Sequence, residues 1–359
     1  MDTEEPAEVA EAPPRRRWPP WLRPYPFEIA AWLSLVIAIA FLRARGLRID
    51  WETFDYTIPP LLPVMAKYFL VGIGLYGVFT GVRRKSPLEY LRQIATLQWI
   101  VLSLRVWLAV LVFNYTYFWL KVCVPLVNAK LWDQALWRLD ALVHFGYSPS
   151  IVLIESASSG LLSWLDLWYG LWLPTVSLSI AFFCASPKAL VRRQFILSCV
   201  LIWVLGAWLY TALPALGPIY AFTDTWRDVM PDMPVSHGAQ QLLWENYQTI
   251  IQGMKSGQLH RFNPTRGIAA MPSLHVGVHW MLMLWMYRYA RPLFVPAAIA
   301  TLLTFLGSIT TGWHYAIDGY VGIALGQISY WAALRLEKGE EEDTDEHETG
   351  EIGEAGGGR

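Results

Sequence analysis

Charge is scarce in this sequence. Only 16% of its 359 residues are Asp, Glu, Lys or Arg, against 55% hydrophobic. No basic run is longer than Arg15-Arg16-Arg17, so nucleic-acid binding has no support. Cysteine is scarce too. Cys123, Cys184 and Cys199 all lie in apolar stretches without a C-x-x-C spacing. That argues against a disulfide framework or a cysteine-ligated metal, and the thiols read as small buried hydrophobes. What is abundant is tryptophan, with 20 residues. Long apolar runs with Trp and Tyr near their ends indicate an all-α, polytopic membrane helical bundle.

The apolar runs predict about eight transmembrane helices, near 27–42, 61–82, 94–120, 161–184, 193–213, 272–289, 293–311 and 314–335. The prolines of Tyr56–Pro63 are expected to break helix before the second span. Leu131, Ala135, Leu139 and Val143 recur at helical spacing with Asp133, Arg138 and Asp140 between them, which predicts an interfacial helix over 129–145. A long loop, 214–270, contains a second amphipathic stretch from Leu242 to Met254. The domain reading is a disordered tail over 1–26, two additional N-terminal spans in 27–93, a catalytic membrane core over 94–336 and a disordered acidic tail over 337–359. The acidic, Pro-rich start does not read as a cleaved signal peptide, so targeting falls to the first span. Lys and Arg favour the loops around Arg83-Arg84-Lys85, Lys188–Arg193 and Arg288–Arg291, which predicts a cytoplasmic N-terminus.

Two stretches carry candidate chemistry: Arg266-Gly267-Ile268-Ala269-Ala270-Met271-Pro272-Ser273-Leu274-His275 and Gly312-Trp313-His314-Tyr315-Ala316-Ile317-Asp318-Gly319. The distance between His275 and His314 suits two membrane helices and a tight turn, so both histidines are expected at one membrane face. His314 and Asp318 are four residues apart, one helical turn. A carboxylate there can hold one imidazole nitrogen and leave the other free to attack. His275 supplies a second imidazole, suited to protonating a leaving oxygen. Together they suit phosphoryl transfer through a phosphohistidine. Pro272-Ser273 at a helix start offers backbone N–H groups to an anion, or Ser273 serves as an N-cap.

Met271-Pro272-Ser273-Leu274-His275 and Gly312-x-His314-Tyr315-x-x-Asp318-Gly319 resemble the type-2 phosphatidate phosphatase superfamily of membrane enzymes, and within it the inositol phosphorylceramide synthase branch. The resemblance covers about residues 94–336. It implies a six-helix catalytic core, His314 as nucleophile, Asp318 as its partner, His275 as general acid and base, Ser273 in the phosphate pocket, and no cofactor. It implies membrane lipids as partners: a lipid phosphate donor, and a lipid alcohol or water as acceptor. With the N-terminus cytoplasmic, the site is expected on the extracytoplasmic or lumenal side of a bacterial inner membrane or a Golgi- or ER-type membrane.

The chain departs from the family pattern at two places. The Lys-x6-Arg-Pro run is missing; Leu213–Tyr220, with Gly217 and Pro218, stands nearest to it in position. Gly307-Ser308 stands where the third motif opens with Ser-Arg. Replacement cations for a phosphate are expected among Arg266, Arg261 and Arg105. Arg105 lies inside a span, where an unpaired guanidinium is expensive; a structural ion pair is its other reading.

The expected function is head-group or phosphoryl transfer between lipids, with dephosphorylation of a lipid or polyprenyl phosphate as the alternative. Two other classes stay open. His275 and His279, four apart, with His314 and Asp318 have zinc ligand types and allow a metal-dependent membrane hydrolase, though no Glu separates the two histidines as in H-E-x-x-H. A lipid transporter that kept a degenerate site is the other.

Overall fold

The computed structural model describes residues 23–47, 52–256 and 262–337. Most of both tails, and Arg261, lie outside the described residues. In chain order the helices are α1 (Pro26–Ala44), α2 (Glu52–Val82), α3 (Pro87–Ile94), α4 (Leu97–Val127), α5 (Asp133–Val143), α6 (Pro149–Ser156), α7 (Ser159–Gly170), α8 (Trp172–Cys184), α9 (Ala189–Ala212), α10 (Pro218–Ala221), α11 (Pro234–Ser256), α12 (Leu274–Tyr289), α13 (Phe294–Thr310) and α14 (Ala316–Leu336). No strand occurs among the described residues. Six helical segments there are long and apolar enough to cross a membrane: 26–44, 62–82, 97–127, 159–184, 189–212 and 291–310. The protein is an all-α polytopic membrane bundle, in which α12 and α14 pack beside these segments.

Three expectations about boundaries change. Helix α2 does not break at its prolines but runs through Pro59, Pro60 and Pro63. In a membrane an irregular backbone leaves more polar groups unsatisfied than a helix that loses a few bonds. The span expected over 161–184 is two helices that meet at Leu171. The third span continues seven residues past its expected end, to Val127, and so takes Lys121 into the helix.

Side-chain bonds define the two ends of the bundle. Arg192, near the start of α9, donates to the Trp99 carbonyl near the start of α4. Asn128, just past α4, donates to the Thr211 carbonyl at the end of α9. Helices α4 and α9 are therefore parallel. Gln194 of α9 bonds both Tyr289 at the end of α12 and the Glu337 carbonyl after α14. Helices α12 and α14 thus begin at the end where α4 and α9 finish.

Glycine brings α12 and α14 together. A Cβ at Gly322 would collide with the Ser273 carbonyl oxygen, and one at Gly277 would lie 2.5 Å from the Gly322 carbonyl oxygen. Small residues at such crossings let helix backbones approach closely in a membrane. Gly322→Ala is expected to destabilise the protein by about 1–3 kcal/mol through overpacking. A fall in thermal midpoint in detergent checks this, and an unchanged midpoint contradicts it.

Candidate active site at the start of α12 and α14

The histidine end is built from three short segments crossing one another. The segment that leads into α10 bonds the other two: Ala270 N–H donates to the Ala215 carbonyl (2.9 Å), and Ile219 N–H, at the start of α10, donates to the Gly312 carbonyl (2.9 Å). Gly217 makes the turn possible. Its φ is +100°, and a Cβ there would sit 2.5 Å from the Trp313 carbonyl oxygen. Only glycine takes such a backbone without strain.

Helix α5 holds this turn in place. Asp133 is buried; its Oδ1 accepts from Gly217 N–H (2.9 Å) and the Tyr315 hydroxyl (2.9 Å), and both oxygens accept from Leu216 N–H. Two turns of α5 further on, Asp140 Oδ1 accepts from Ile317 N–H at 2.9 Å. Burial pushes the Asp140 carboxyl above the usual carboxylate range, with its backbone hydrogen bonds opposing that shift. A helix is present where the sequence predicts one over 129–145, and its carboxylates turn inward to bond backbone. Asp133→Ala leaves three donors without their acceptor, each worth about 1–3 kcal/mol. Misplacement of Gly217 and Tyr315 beside His314 is expected to cost about 10²-fold in turnover. Asp133→Asn, which keeps an acceptor oxygen, is expected to recover part of it.

The histidines meet where expected. His314 Nε2 lies 3.1 Å from His275 Nδ1. His314 is buried and His275 half-buried. His314 Nδ1 donates to the Ala270 carbonyl at 2.8 Å. A carbonyl only accepts, so Nδ1 carries a proton, and in the neutral ring Nε2 carries the lone pair. The proton between the two rings then belongs to His275 Nδ1, which also lies 2.7 Å from the Tyr169 hydroxyl. The Trp172 ring packs edge-on against His275 with centroids 4.2 Å apart.

Asp318 is fully buried and close, but it is not the nearest partner of His314. Its Oδ2 is 3.5 Å from His314 Nδ1 and accepts from Tyr315 N–H at 3.0 Å, while Oδ1 has no partner among the described residues. The Ala270 carbonyl is thus the closer acceptor for the ring. The Asp318 carbonyl also accepts from Ser273 N–H at 2.9 Å. Ser273 Oγ is the N-cap of α12, accepting from Val276 N–H. His279 turns its Nδ1 back onto the His275 carbonyl at 2.8 Å. Among the described residues no group of three or more His, Cys, Asp or Glu side chains is arranged to hold a metal ion.

The expected cations divide. Arg105 is at the far end of the bundle, where its Nε bonds Glu28 at 2.7 Å and its guanidinium lies over Tyr25. The ion pair that a membrane guanidinium needs is met there, which corrects the expectation of a phosphate contact. Arg266 stays at the histidine end; its carbonyl is held by Asn246 of α11 at 2.9 Å. Gly267, the next residue, packs so closely on Lys121 that a Cβ would lie 3.0 Å from that residue's Cγ.

Lys121 is the residue that sequence reasoning missed. It is partly buried in α4, an electrostatic neighbour of His275, with Nζ 5.8 Å from the Tyr117 and Tyr210 ring centroids. It has no carboxylate partner among the described residues. The signal was present: a lysine continuing the apolar run of a span marks function more often than a loop charge does. Ending the span at 120 turned it into a loop residue. Tyr169 was missed as well. It reaches His275 because Gly307 leaves room; a Cβ there would lie 2.9 Å from the Tyr169 Cβ.

Helix α11 covers this end. Asp166 of α7, itself buried, caps it by accepting from Val235 and Ser236 N–H, both at 2.8 Å. Gln240 donates to the Thr311 carbonyl, and Trp244 stacks on Tyr220. The amphipathic stretch expected within 214–270 is thus docked over the segment that leads to His314.

No curated protein and no solved structure matches the chain. A family model described as "PAP2 superfamily" matches residues 134–332, from α5 through most of α14. That stretch is more than half of the chain and contains His275, His314 and Asp318, so the chain belongs to the PAP2 superfamily.

Proposed function

We propose that this protein is a lipid phosphotransferase that moves a phosphoryl or phospho-head group between lipids through a phosphohistidine on His314. Superfamily membership supports a lipid phosphatase or phosphotransferase type of activity. The observation that carries the finer reading is the polarity of the histidine pair. His314 presents a lone pair and His275 a proton, 3.1 Å apart, with the first ring locked by the Ala270 carbonyl.

In the first step His314 Nε2 bonds to phosphorus, the bond from phosphorus to the donor's oxygen breaks, and His275, entering as the imidazolium, gives its Nδ1 proton to that oxygen and is left neutral. His314 is then cationic, and the Asp318 carboxylate compensates that charge. In the second step His275 takes a proton from the acceptor hydroxyl, whose oxygen displaces His314 from phosphorus. Lys121, with Arg266 nearby, supplies positive charge for the transferring oxygens in place of the family's missing cations. The sphingolipid-type branch is the favoured one because its motif variants match those of this chain. The cation-rich loops at the opposite end of the bundle support an extracytoplasmic or lumenal side for the histidines.

Lipid mass spectrometry on protein reconstituted in liposomes tests the reading. The liposomes offer a panel of phospholipids and lipid alcohols, and inorganic phosphate is followed alongside. A new phospho-head-group lipid formed by wild type and not by His314→Ala is the expected result. Phosphate release without a new lipid identifies a phosphatase that uses water as acceptor. No His314-dependent product from any donor and acceptor overturns the proposal.

A further inference from the structure

The end of the bundle away from the histidines holds a second cavity, of about 1800 Å³. Its walls are the end of α2, helix α3 and the starts of α4 and α9. Lysine and arginine crowd it, and Glu89 is its only lining carboxylate among the described residues. Two of the arginines are already paired, Arg105 with Glu28 and Arg193 with Glu337. Arg83, Arg84, Lys85, Lys188 and Arg192 have no carboxylate partner among the described residues.

Arg192 separates this cavity from an ordinary set of loop charges. It is 1% exposed, yet no acid neutralises it. Its guanidinium bonds the Trp99 carbonyl and the Ser103 hydroxyl, and its Nε has no partner among the described residues. A buried cation without a counter-charge is costly. An anion in the cavity offsets that cost, and Arg84 and Lys85 at the rim add to its attraction. The same cavity is lined by Leu97 and Val101, both exposed on the outer surface of α4. Cations beside an apolar, membrane-facing wall suit a phosphate that carries acyl chains.

We infer that this cavity is a second lipid site, distinct from the histidine centre, which binds the phosphate group of an anionic phospholipid with its chains against Leu97 and Val101. Basic pockets between membrane helices recognise anionic head groups in this way. The inference does not depend on the reaction proposed at His314.

The test uses the full chain in nanodiscs of phosphatidylcholine containing a minor fraction of phosphatidylglycerol. Lipids that stay with the protein after detergent exchange are counted by mass spectrometry. Arg84, Lys85 and Lys188 are exposed, so the triple substitution Arg84→Gln, Lys85→Gln and Lys188→Gln spares the buried packing. Size-exclusion profile and thermal midpoint confirm that the variant is folded. Each cation is worth about fivefold in anionic-lipid affinity, so the triple variant is expected to lose at least about tenfold of its retained phosphatidylglycerol. Equal retention by wild type and variant overturns the inference. A parallel arm titrates inorganic phosphate in pure phosphatidylcholine discs. A cation-dependent thermal shift by phosphate, without phosphatidylglycerol enrichment, identifies a soluble-anion site and overturns the lipid assignment.

Discussion

His314→Ala is expected to abolish turnover, with a loss of about 10⁴-fold or more, as befits removal of a nucleophile. The Ala270 carbonyl accepts from His314 Nδ1 at 2.8 Å and so leaves Nε2 free. Asp318→Asn should act differently. Asp318 lies 3.5 Å from the ring and is not its closest acceptor, so the ring keeps its orientation when the carboxylate is replaced. What is lost is charge compensation for the cationic intermediate. Turnover then falls while lipid binding persists. Single-turnover kinetics with a radiolabelled donor separates the two variants. His314→Ala gives no acid-labile protein-bound label, whereas Asp318→Asn gives label that forms slowly. Two folded variants with full activity refute the assignment.

Lys121→Met is expected to lower kcat by about 10²–10³-fold, the range for losing one group that stabilises transition-state charge. The same substitution should leave the thermal midpoint unchanged or raise it. Lys121 has no carboxylate partner among the described residues, and methionine of similar length removes a poorly solvated cation from a membrane helix. Stability and activity moving in opposite directions is the signature of a functional charge. Lys121→Arg, which keeps the charge, should retain more activity than Lys121→Met. A parallel fall in stability and activity would instead mark Lys121 as a packing residue. Gly267, whose lack of a side chain allows the 266–270 segment to lie on Lys121, provides an independent check, because a larger residue there should displace the lysine.

Much of this protein is legible without coordinates. Low charge and long apolar runs determine a helical membrane bundle, because a lipid environment leaves the backbone few other options. The pairing of His275 with His314 follows from two motifs separated by a helical hairpin. The capping role of Ser273 and the helical nature of 242–254 follow from local chemistry.

The tertiary structure decided the rest, because those outcomes depend on groups distant in sequence. Asp133 reaches Gly217 and Tyr315, and neither contact has any trace in the local pattern around residue 133. The acceptor that fixes the His314 tautomer is a main-chain carbonyl, and every residue has one; only the crossing of the 266–270 segment over the start of α14 selects Ala270. Arg105 and Lys121 both lie in α4, sixteen residues and over four helical turns apart. Hydropathy treats them alike as cations in or beside a span. Helix α4 carries Arg105 to Glu28 at one end of the bundle and Lys121 to His275 at the other. Composition determines that such charges need partners, and the packing of α1, α4, α9 and α12 determines which partner each one meets.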